Sequence, residues 1–136
     1  MIPFTIAYRG QLRCAAVHGP SRTELITDAP VDNHGRGESF SPTDLVATAL
    51  GTCMTTIMGI AADRESIALA GTRLDVEKHM TAVPPRKIAK LVVRFAMAPG
   101  IPAAKRPTLE RAARTCPVAL SIHPDIVQDV SFSYPD

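Results

Sequence analysis

The chain contains three cysteines, and two of them stand in settings that an ordinary core cysteine does not need. Cys53 lies on a long apolar segment that runs from Ser41 to Ala62, and Cys116 stands directly before Pro117. Two thiols that a fold brings together can pass between the dithiol and disulfide states. These two positions therefore predict a redox protein.

The position of Cys116 predicts a helix N-cap, because Pro117 suits the first residue of a new helical turn. Unpaired N–H groups and the dipole at a helix N-terminus favour a thiolate, so we expect the pKa of the Cys116 thiol to be lowered. The alternative is a small apolar residue at a helix junction that takes no part in chemistry.

Cys53 lies in the middle of a predicted helix, where a free cysteine is usually a buried core residue. Reactivity at Cys53 requires a cation or a hydrogen-bonding partner from elsewhere, and an arginine suits best because it stays charged when buried. The third cysteine, Cys14, lies on a predicted strand and is interpreted as a core residue. Arg13, its neighbour, then points to the opposite face of that strand.

Metal and cofactor sites are not expected. The four histidines show no ligand spacing among themselves or with the cysteines. The segment Gly35-Arg36-Gly37 is too short for a phosphate-binding loop.

Composition limits the remaining possibilities. A chain of 136 residues predicts a single domain over residues 1–136, and a content of 46% hydrophobic and 21% charged residues is typical of a globular protein. The net charge of +2, with scattered Lys and Arg, argues against nucleic acid as a partner. No export signal or membrane span is predicted, and an odd cysteine count without an export signal indicates the cytoplasm.

The first part of the chain predicts antiparallel strands. Phe4 to Tyr8 alternates in polarity, residues 12–18 are expected to pair back, and residues 23–27 form a third strand. Residues 28–40 are predicted to form an irregular loop without an element of its own. Ser41-Pro42-Thr43-Asp44 then predicts a helix start, with Ser41 as the cap.

The helix that follows is apolar over most of its circumference, with small residues on the rest, and is predicted to be long, central and buried. A strand pair is predicted over Leu74 to Met80 and Ala89 to Met97, followed by a short helix that starts near Pro102 or Pro107. A last strand is expected over residues 127–134. The order of elements predicts an α+β domain.

Two segments together resemble the OsmC-like family, which includes osmotically inducible protein C and the organic hydroperoxide resistance proteins. They are Ser41 to Cys53 (SPTDLVATALGTC) and Thr115 to Val118 (TCPV). The first is similar to the family's Ser/Asn-Pro start of a central helix that carries a reactive cysteine. The second is similar to its Cys-Pro motif before a short helical turn, and the resemblance spans nearly the whole chain.

The resemblance implies an intertwined homodimer in which antiparallel sheets wrap around the long buried helix. It also implies a thiol-dependent peroxidase, an organic hydroperoxide reductase of the oxidative-stress response. Cys53 would be the peroxidatic cysteine and Cys116 the resolving cysteine. The implied partners are a small-molecule hydroperoxide and a cellular dithiol reductant, without metal or cofactor.

One position departs from the family pattern and indicates a divergent branch. Peroxidase members carry Glu directly after the helix-start Pro, paired with an Arg that holds the reactive thiolate, whereas this chain has Thr43. Glu38 is a candidate substitute for that carboxylate. Arg13 is the expected arginine by its strand position, with Arg9 and Arg22 as alternatives.

The departure keeps an alternative function open. The chain would then be a non-catalytic OsmC-like dimer that binds an apolar ligand in a pocket near Cys53, or that senses redox state. A third interpretation is a structural protein with inert cysteines.

Overall fold

The computed structural model describes residues 1–135, which form two compact units, Met1–Val46 and the chain from Ala47 onward. Strands and helices follow in the order β1 (Phe4–Gly10), β2 (Arg13–His18), β3 (Glu24–Asp28), α1 (Pro42–Arg64), β4 (Arg73–Met80), β5 (Ile88–Ala96), α2 (Arg106–Arg114), α3 (Pro117–Ser121) and β6 (Val127–Ser133). The predicted α+β class and the long helix are confirmed.

The first unit contains an antiparallel sheet in the order β1-β2-β3. Gln11 and Leu12 join β1 to β2 with positive φ angles of 54° and 62°, a turn conformation that more often recruits Asn or Gly. The register places Tyr8 opposite Cys14 and Arg13 opposite Asp28. All three strands predicted for this part of the chain are present, with ends shifted by one or two residues.

The segment between β3 and α1 is more ordered than predicted. It contains a 3-10 turn over Val31–Asn33, and its chain folds back through hydrogen bonds from Gly35 to the Pro30 carbonyl and from Gly37 to the Ala29 carbonyl. A side chain at Gly35 would collide with Ala29, since its Cβ would lie 1.7 Å from that carbonyl oxygen. Glycine is therefore what permits this tight return.

The start of α1 agrees with the sequence prediction. The Ser41 hydroxyl accepts a hydrogen bond from the Asp44 N–H at 3.1 Å, and the Asp44 carboxylate accepts one from the Ser41 N–H at 2.9 Å. This reciprocal arrangement is a capping box. Pro42 is the first helical residue, where its missing N–H costs no hydrogen bond.

In the second unit, one side of α1 packs into a core. Leu50, Met54 and Met58 are completely buried. Gly51 lies close to β4, because a Cβ there would be 3.2 Å from a methyl group of Val76. The absence of a side chain thus allows the helix to approach the strand closely.

The opposite side of α1 is exposed in the single chain. It carries Ala49, Thr52, Thr56 and Ile60. The threonine hydroxyls donate to carbonyls of the preceding turn, at 2.7 Å for Thr52 and 2.8 Å for Thr56. Their hydroxyl groups are therefore hydrogen-bonded within the helix, and the four residues of this exposed stripe offer no titratable side chain.

The second sheet has the order β4-β5-β6, and its last pairing differs from the prediction of antiparallel sheets. Strands β4 and β5 are antiparallel, but β5 and β6 are parallel. The reason is the connection: α2 and α3 lie between the two strands, and a crossover of this kind returns the chain in the same direction. Leu91, Val93 and Phe95 of the central strand are buried, and Phe95 stacks on Phe132 at 4.7 Å.

The crossover begins with a 3-10 turn, Ala103–Lys105, and α2 starts at Arg106, between the two predicted starting points. The guanidinium of Arg106 lies 4.1 Å from the centre of the Tyr134 ring, whose hydroxyl donates to Glu110 at 2.9 Å. Burial, together with the Glu110 carboxylate, raises the pKa of Tyr134 to about 12. The phenol therefore stays neutral and holds the end of the chain to α2.

By length and composition, α1 could cross a membrane, the one such helix among residues 1–135. This is weak support for a span, because core helices of globular proteins pass the same test. One third of its most apolar window is buried within the protein.

Candidate active site

The structure brings the two cysteines singled out from the sequence together within the second unit. Cys53 is half-buried on the fourth turn of α1, and Cys116 is completely buried directly before α3. The Cys53 side chain lies close enough to Cys116 to raise the pKa of the Cys116 thiol. All three cysteines of the chain are free thiols. The pair therefore has the proximity that a thiol–disulfide exchange requires.

Cys116 caps α3, as its place before Pro117 predicted. Its backbone is extended (φ −66°, ψ 154°), and its sulfur accepts a hydrogen bond from the Ala119 N–H at 3.4 Å. The expected lowering of its pKa is wrong, however. Burial raises the pKa of the Cys116 thiol, the Ala119 N–H opposes this less strongly, and the nearby Cys53 raises it further.

The physical reason is the depth of the site. The Val118 and Ala119 N–H groups at the start of a short helical turn stabilise a thiolate only weakly, whereas complete removal from water disfavours the charged form strongly. Cys116 therefore remains a thiol at neutral pH. A neutral S–H can donate a hydrogen bond to Cys53 or give up its proton when a bond to that sulfur forms.

A second cluster of chemically capable residues lies in the first unit. Arg13, on β2, forms ion pairs with Glu38 and with Asp28 of β3, the latter at 3.3 Å. We name Arg13, Asp28 and Glu38 the charged cluster. The side chain of Asp28 is completely buried, while that of Glu38 is 56% exposed.

Hydrogen bonds fix the ionised forms of this cluster. The Glu38 N–H donates to the Asp28 carboxylate at 3.0 Å, and this bond, with the Arg13 guanidinium, holds the pKa of Asp28 below its usual value despite burial. The Glu38 carboxylate and Asp28 raise the pKa of Arg13. Arg13 and Asp28 are therefore both ionised at neutral pH.

The other two arginines considered from the sequence lie elsewhere in the unit. Arg9 pairs with Glu24 at 3.2 Å on an exposed surface, and Arg22 lies in the exposed turn between β2 and β3 with a φ of 62°. Arg13 is the one of the three that is paired with Glu38. Thr43, at the departure from the family pattern, lies with its hydroxyl 3.2 Å from that of Ser41 at the helix start.

Cys14 is half-buried on β2, opposite Tyr8 on β1 and Thr27 on β3. Its expected core position is thus only partly realised. No three His, Cys, Asp or Glu side chains within residues 1–135 are grouped so that they could hold a metal ion.

Sequence reasoning missed Asp28. It was assigned to the start of the irregular loop, yet it ends β3 and lies directly opposite Arg13. The signal lies in the strand register, which pairs Arg13 at the start of β2 with Asp28 at the end of β3 and which the predicted strand bounds do not contain.

Known proteins share this fold. The family model described as OsmC-like protein matches residues 35–131. A Psychrobacter arcticus protein named for an osmotic-stress-induced and detoxification response is 45% identical in sequence. That similarity covers 98% of this chain and 96% of the other, with a TM-score of 0.92. No curated protein matches the sequence significantly.

More distant structures share the fold alone. An organic hydroperoxide resistance protein OsmC from Legionella pneumophila is 17% identical, over 98% of this chain and 96% of that one, with a TM-score of 0.77. A Vibrio cholerae protein named for organic hydroperoxide resistance, with captopril in one of its active sites, is also 17% identical, over 97% and 90%, with a TM-score of 0.75. Given the family model over most of its length and the 45%-identical relative, this chain belongs to the OsmC-like family.

Proposed function

We propose that this protein is a thiol-dependent hydroperoxide reductase in which Cys53 is the peroxidatic and Cys116 the resolving cysteine. The observation that carries the proposal is the proximity of a half-buried thiol, Cys53, to a fully buried one, Cys116. The more accessible Cys53 sulfur can react with a peroxide, while the buried Cys116 remains a neutral thiol. Relatives named for hydroperoxide resistance add support at the level of the family.

The chemistry balances with a dithiol as the external reductant. The Cys53 thiolate attacks the terminal oxygen of a hydroperoxide, the O–O bond breaks, and the alkoxide takes a proton to leave as an alcohol. Cys53 is then a sulfenic acid. The Cys116 sulfur attacks the Cys53 sulfur, water leaves with the Cys116 proton, and a disulfide forms. Two thiols of the reductant give two electrons and two protons and restore the pair.

Burial supports the proposed order of the two thiols. Because burial raises the pKa of Cys116, that thiol is a poor competitor for peroxide at neutral pH. Cys53 is the more exposed of the two and lies on an apolar helix, which suits an alkyl hydroperoxide better than hydrogen peroxide. We propose Arg13 as the cation that stabilises the Cys53 thiolate, with Glu38 in place of the carboxylate that other members carry after the helix-start proline.

The proposal includes a homodimer in the cytoplasm. The exposed small-residue stripe of α1 and the exposed apolar side chains of β1, among them Phe4, Ile6 and Tyr8, are consistent with a second copy of the chain. A dithiol reductant is available in a reducing compartment, which fits three free cysteines.

The test is peroxide consumption with a dithiol present. Wild-type protein is expected to reduce an alkyl hydroperoxide catalytically, and Cys53→Ser to lower the rate at least about a thousandfold because the nucleophile is lost. Cys14→Ser is the matched control and should keep the wild-type rate. Loss of activity in both variants, or in neither, would contradict the assignment of Cys53.

Thr43 favours one other candidate, a dimer that binds an apolar ligand without turnover. In that case an apolar ligand would raise the melting temperature equally in wild type and in Cys53→Ala, and no peroxide would be consumed. The Arg13–Glu38 ion pair counts against this candidate, since a carboxylate is available to the arginine without a glutamate in the helix.

A further inference from the structure

We propose that Gln128 is a positioning residue for the resolving step, which anchors α3 to β6 and thereby holds the Cys116 sulfur beside Cys53. This inference deepens the proposed function and rests on it. Gln128 acts through Ala119, the residue of α3 whose N–H donates to the Cys116 sulfur. All four residues belong to the second unit.

Gln128 is a polar residue on the core face of β6. It lies opposite Leu91 of β5, which is completely buried, and the next residues on the same face of β6 are Val130 and Phe132. The Gln128 side chain is half-buried there, and a polar group removed from water needs a hydrogen-bond partner. The Ala119 carbonyl is that partner, since the Gln128 side-chain amide donates to it at 2.9 Å.

Packing contributes little to the position of α3. None of the five residues in Pro117–Ser121 is buried, and Leu120 is 73% exposed. The Leu120 N–H donates to the Cys116 carbonyl at 3.1 Å, which fixes the shape of the turn but not its place on the sheet. A single helical turn is also not stable by itself. The hydrogen bond from Gln128 is therefore expected to determine where α3 lies.

A second contact joins the other side of Cys116 to the same strand. Arg114, at the end of α2, donates to the Val130 carbonyl at 3.1 Å, and its guanidinium lies 5.2 Å from the centre of the Phe132 ring. Arg114 is exposed, so this contact is open to water, whereas the Gln128 hydrogen bond is partly buried. Strand β6 thus holds the chain on both sides of Cys116, and the Gln128 contact is the more protected of the two.

The position of Cys116 matters because a disulfide has a narrow geometry, with β-carbons roughly 3.5–4.5 Å apart. Ala119 connects the anchor to the sulfur: its carbonyl accepts from Gln128 and its N–H donates to Cys116 at 3.4 Å. Two thiols that are held side by side form a disulfide more readily than two that can separate. Loss of the anchor is therefore expected to weaken the Cys53–Cys116 disulfide and to slow its formation.

The experiment measures the equilibrium between the dithiol and the disulfide of Cys53 and Cys116 in glutathione buffers, in a Cys14→Ser background, by mass spectrometry after quenching. The S–S bond of glutathione disulfide breaks as that of the protein forms, and the two protein thiols supply the two electrons and two protons. Gln128→Leu is expected to lower the equilibrium constant for disulfide formation about tenfold, which is about 30 mV for this two-electron couple. An unchanged or a larger constant would overturn the proposal.

Two matched variants keep the result interpretable. Gln128→Glu has nearly the same shape but no donor when it is ionised, so it should lower the constant as Gln128→Leu does; it decides the question if Gln128→Leu does not fold. Ser133→Ala removes a hydrogen bond of 3.1 Å from β6 to the Phe95 carbonyl and should leave the constant unchanged. An equal decrease in Ser133→Ala would show that β6 as a whole, and not Gln128, positions the thiols.

Rapid mixing with one equivalent of alkyl hydroperoxide tests the place of Gln128 in the reaction. In Gln128→Leu the sulfenic acid of Cys53 should form at the wild-type rate, while disulfide formation slows about tenfold. Equal slowing of both steps would indicate a general loss of structure and would contradict the positioning role. Wild-type protein that fails to consume peroxide would contradict the proposed function, whereas the glutathione equilibrium would still test the link from Gln128 to the two thiols.

Discussion

The thiol pair and the charged cluster each contain a buried ionisable group, and the pKa values of these two groups shift in opposite directions. Cys116 and Asp28 are both almost completely removed from water, and burial disfavours the charged form of each. At Cys116 the weak contacts of the Val118 and Ala119 N–H groups fail to compensate, and the pKa of the thiol rises. At Asp28 a backbone N–H and a guanidinium outweigh burial, and the pKa falls. The partners that the fold supplies, and not depth alone, decide the ionisation of a buried group.

The largest effect is expected when Cys116, the neutral thiol of the pair, is removed. Cys116→Ser is expected to lower steady-state peroxide reduction at least about a hundredfold, because the sulfenic acid of Cys53 has no resolving thiol. The first turnover should still occur. Rapid mixing with one equivalent of alkyl hydroperoxide, followed by trapping of the sulfenic acid, measures it; a variant that turns over at the wild-type rate would exclude Cys116 as the resolving cysteine.

The next largest effect is expected from Arg13→Lys in the charged cluster. Lysine keeps the positive charge but lacks the planar set of donors that reaches two carboxylates, so the second-order rate with hydroperoxide should fall about tenfold. Arg9→Lys, in the exposed pair with Glu24, is the control. Stopped-flow kinetics at pH 7 gives both rates, and equal rates for Arg13→Lys and wild type would show that charge alone suffices.

A smaller effect is expected at the start of α1, the helix that carries Cys53. Ser41→Ala removes the hydroxyl that caps the helix and should lower the free energy of unfolding by about 1 kcal/mol. Urea denaturation measures the loss. The pH dependence of Cys53 alkylation by iodoacetamide should stay unchanged, because Ser41 lies more than two helical turns from the Cys53 sulfur. A shifted pH dependence would mean that the helix cap also affects the reactivity of the Cys53 thiol.

The smallest effect is the acid response of the charged cluster. The pKa of Asp28 in the folded protein lies below its unfolded value, near 3.9 for a free aspartate, so its contribution to stability is present above that pH and is lost as the pH falls through the folded value. Unfolding by urea at pH 5, 4 and 3 should therefore show a steeper loss for wild type than for Asp28→Asn. Parallel losses would show that Asp28 is not stabilised as an ion.

The sequence predicted those features that depend on local patterns. Alternation in β1, the Ser41-Pro42 helix start and the extended residue before Pro117 each leave a mark within a few neighbouring residues. The proximity of Cys53 and Cys116 could be expected only through the family resemblance, because nothing local relates two residues so far apart in the chain.

The remaining differences come from tertiary context. The parallel pairing of β6 follows from where the crossover returns the chain, which its own alternating residues do not reveal. The pKa of Cys116 is controlled by burial and not by the N–H groups at the start of α3. How deeply Cys116 is buried depends on the packing of the whole unit, which the neighbouring residues in the sequence do not reveal. Asp28 was missed because an aspartate at a strand end is indistinguishable from an ordinary loop residue until the register is known.

The crossover between β5 and β6 also bears on how the protein is made. A chain leaving the ribosome presents α1 with Cys53 before α3 and before β6, the strand that covers the second edge of β5. Until α3 and β6 follow, Cys53 lacks Cys116 as a neighbour and β5 is paired on one side only. The nascent chain is therefore expected to be most vulnerable to oxidation and to misplaced strand pairing in the interval between the emergence of β5 and that of β6.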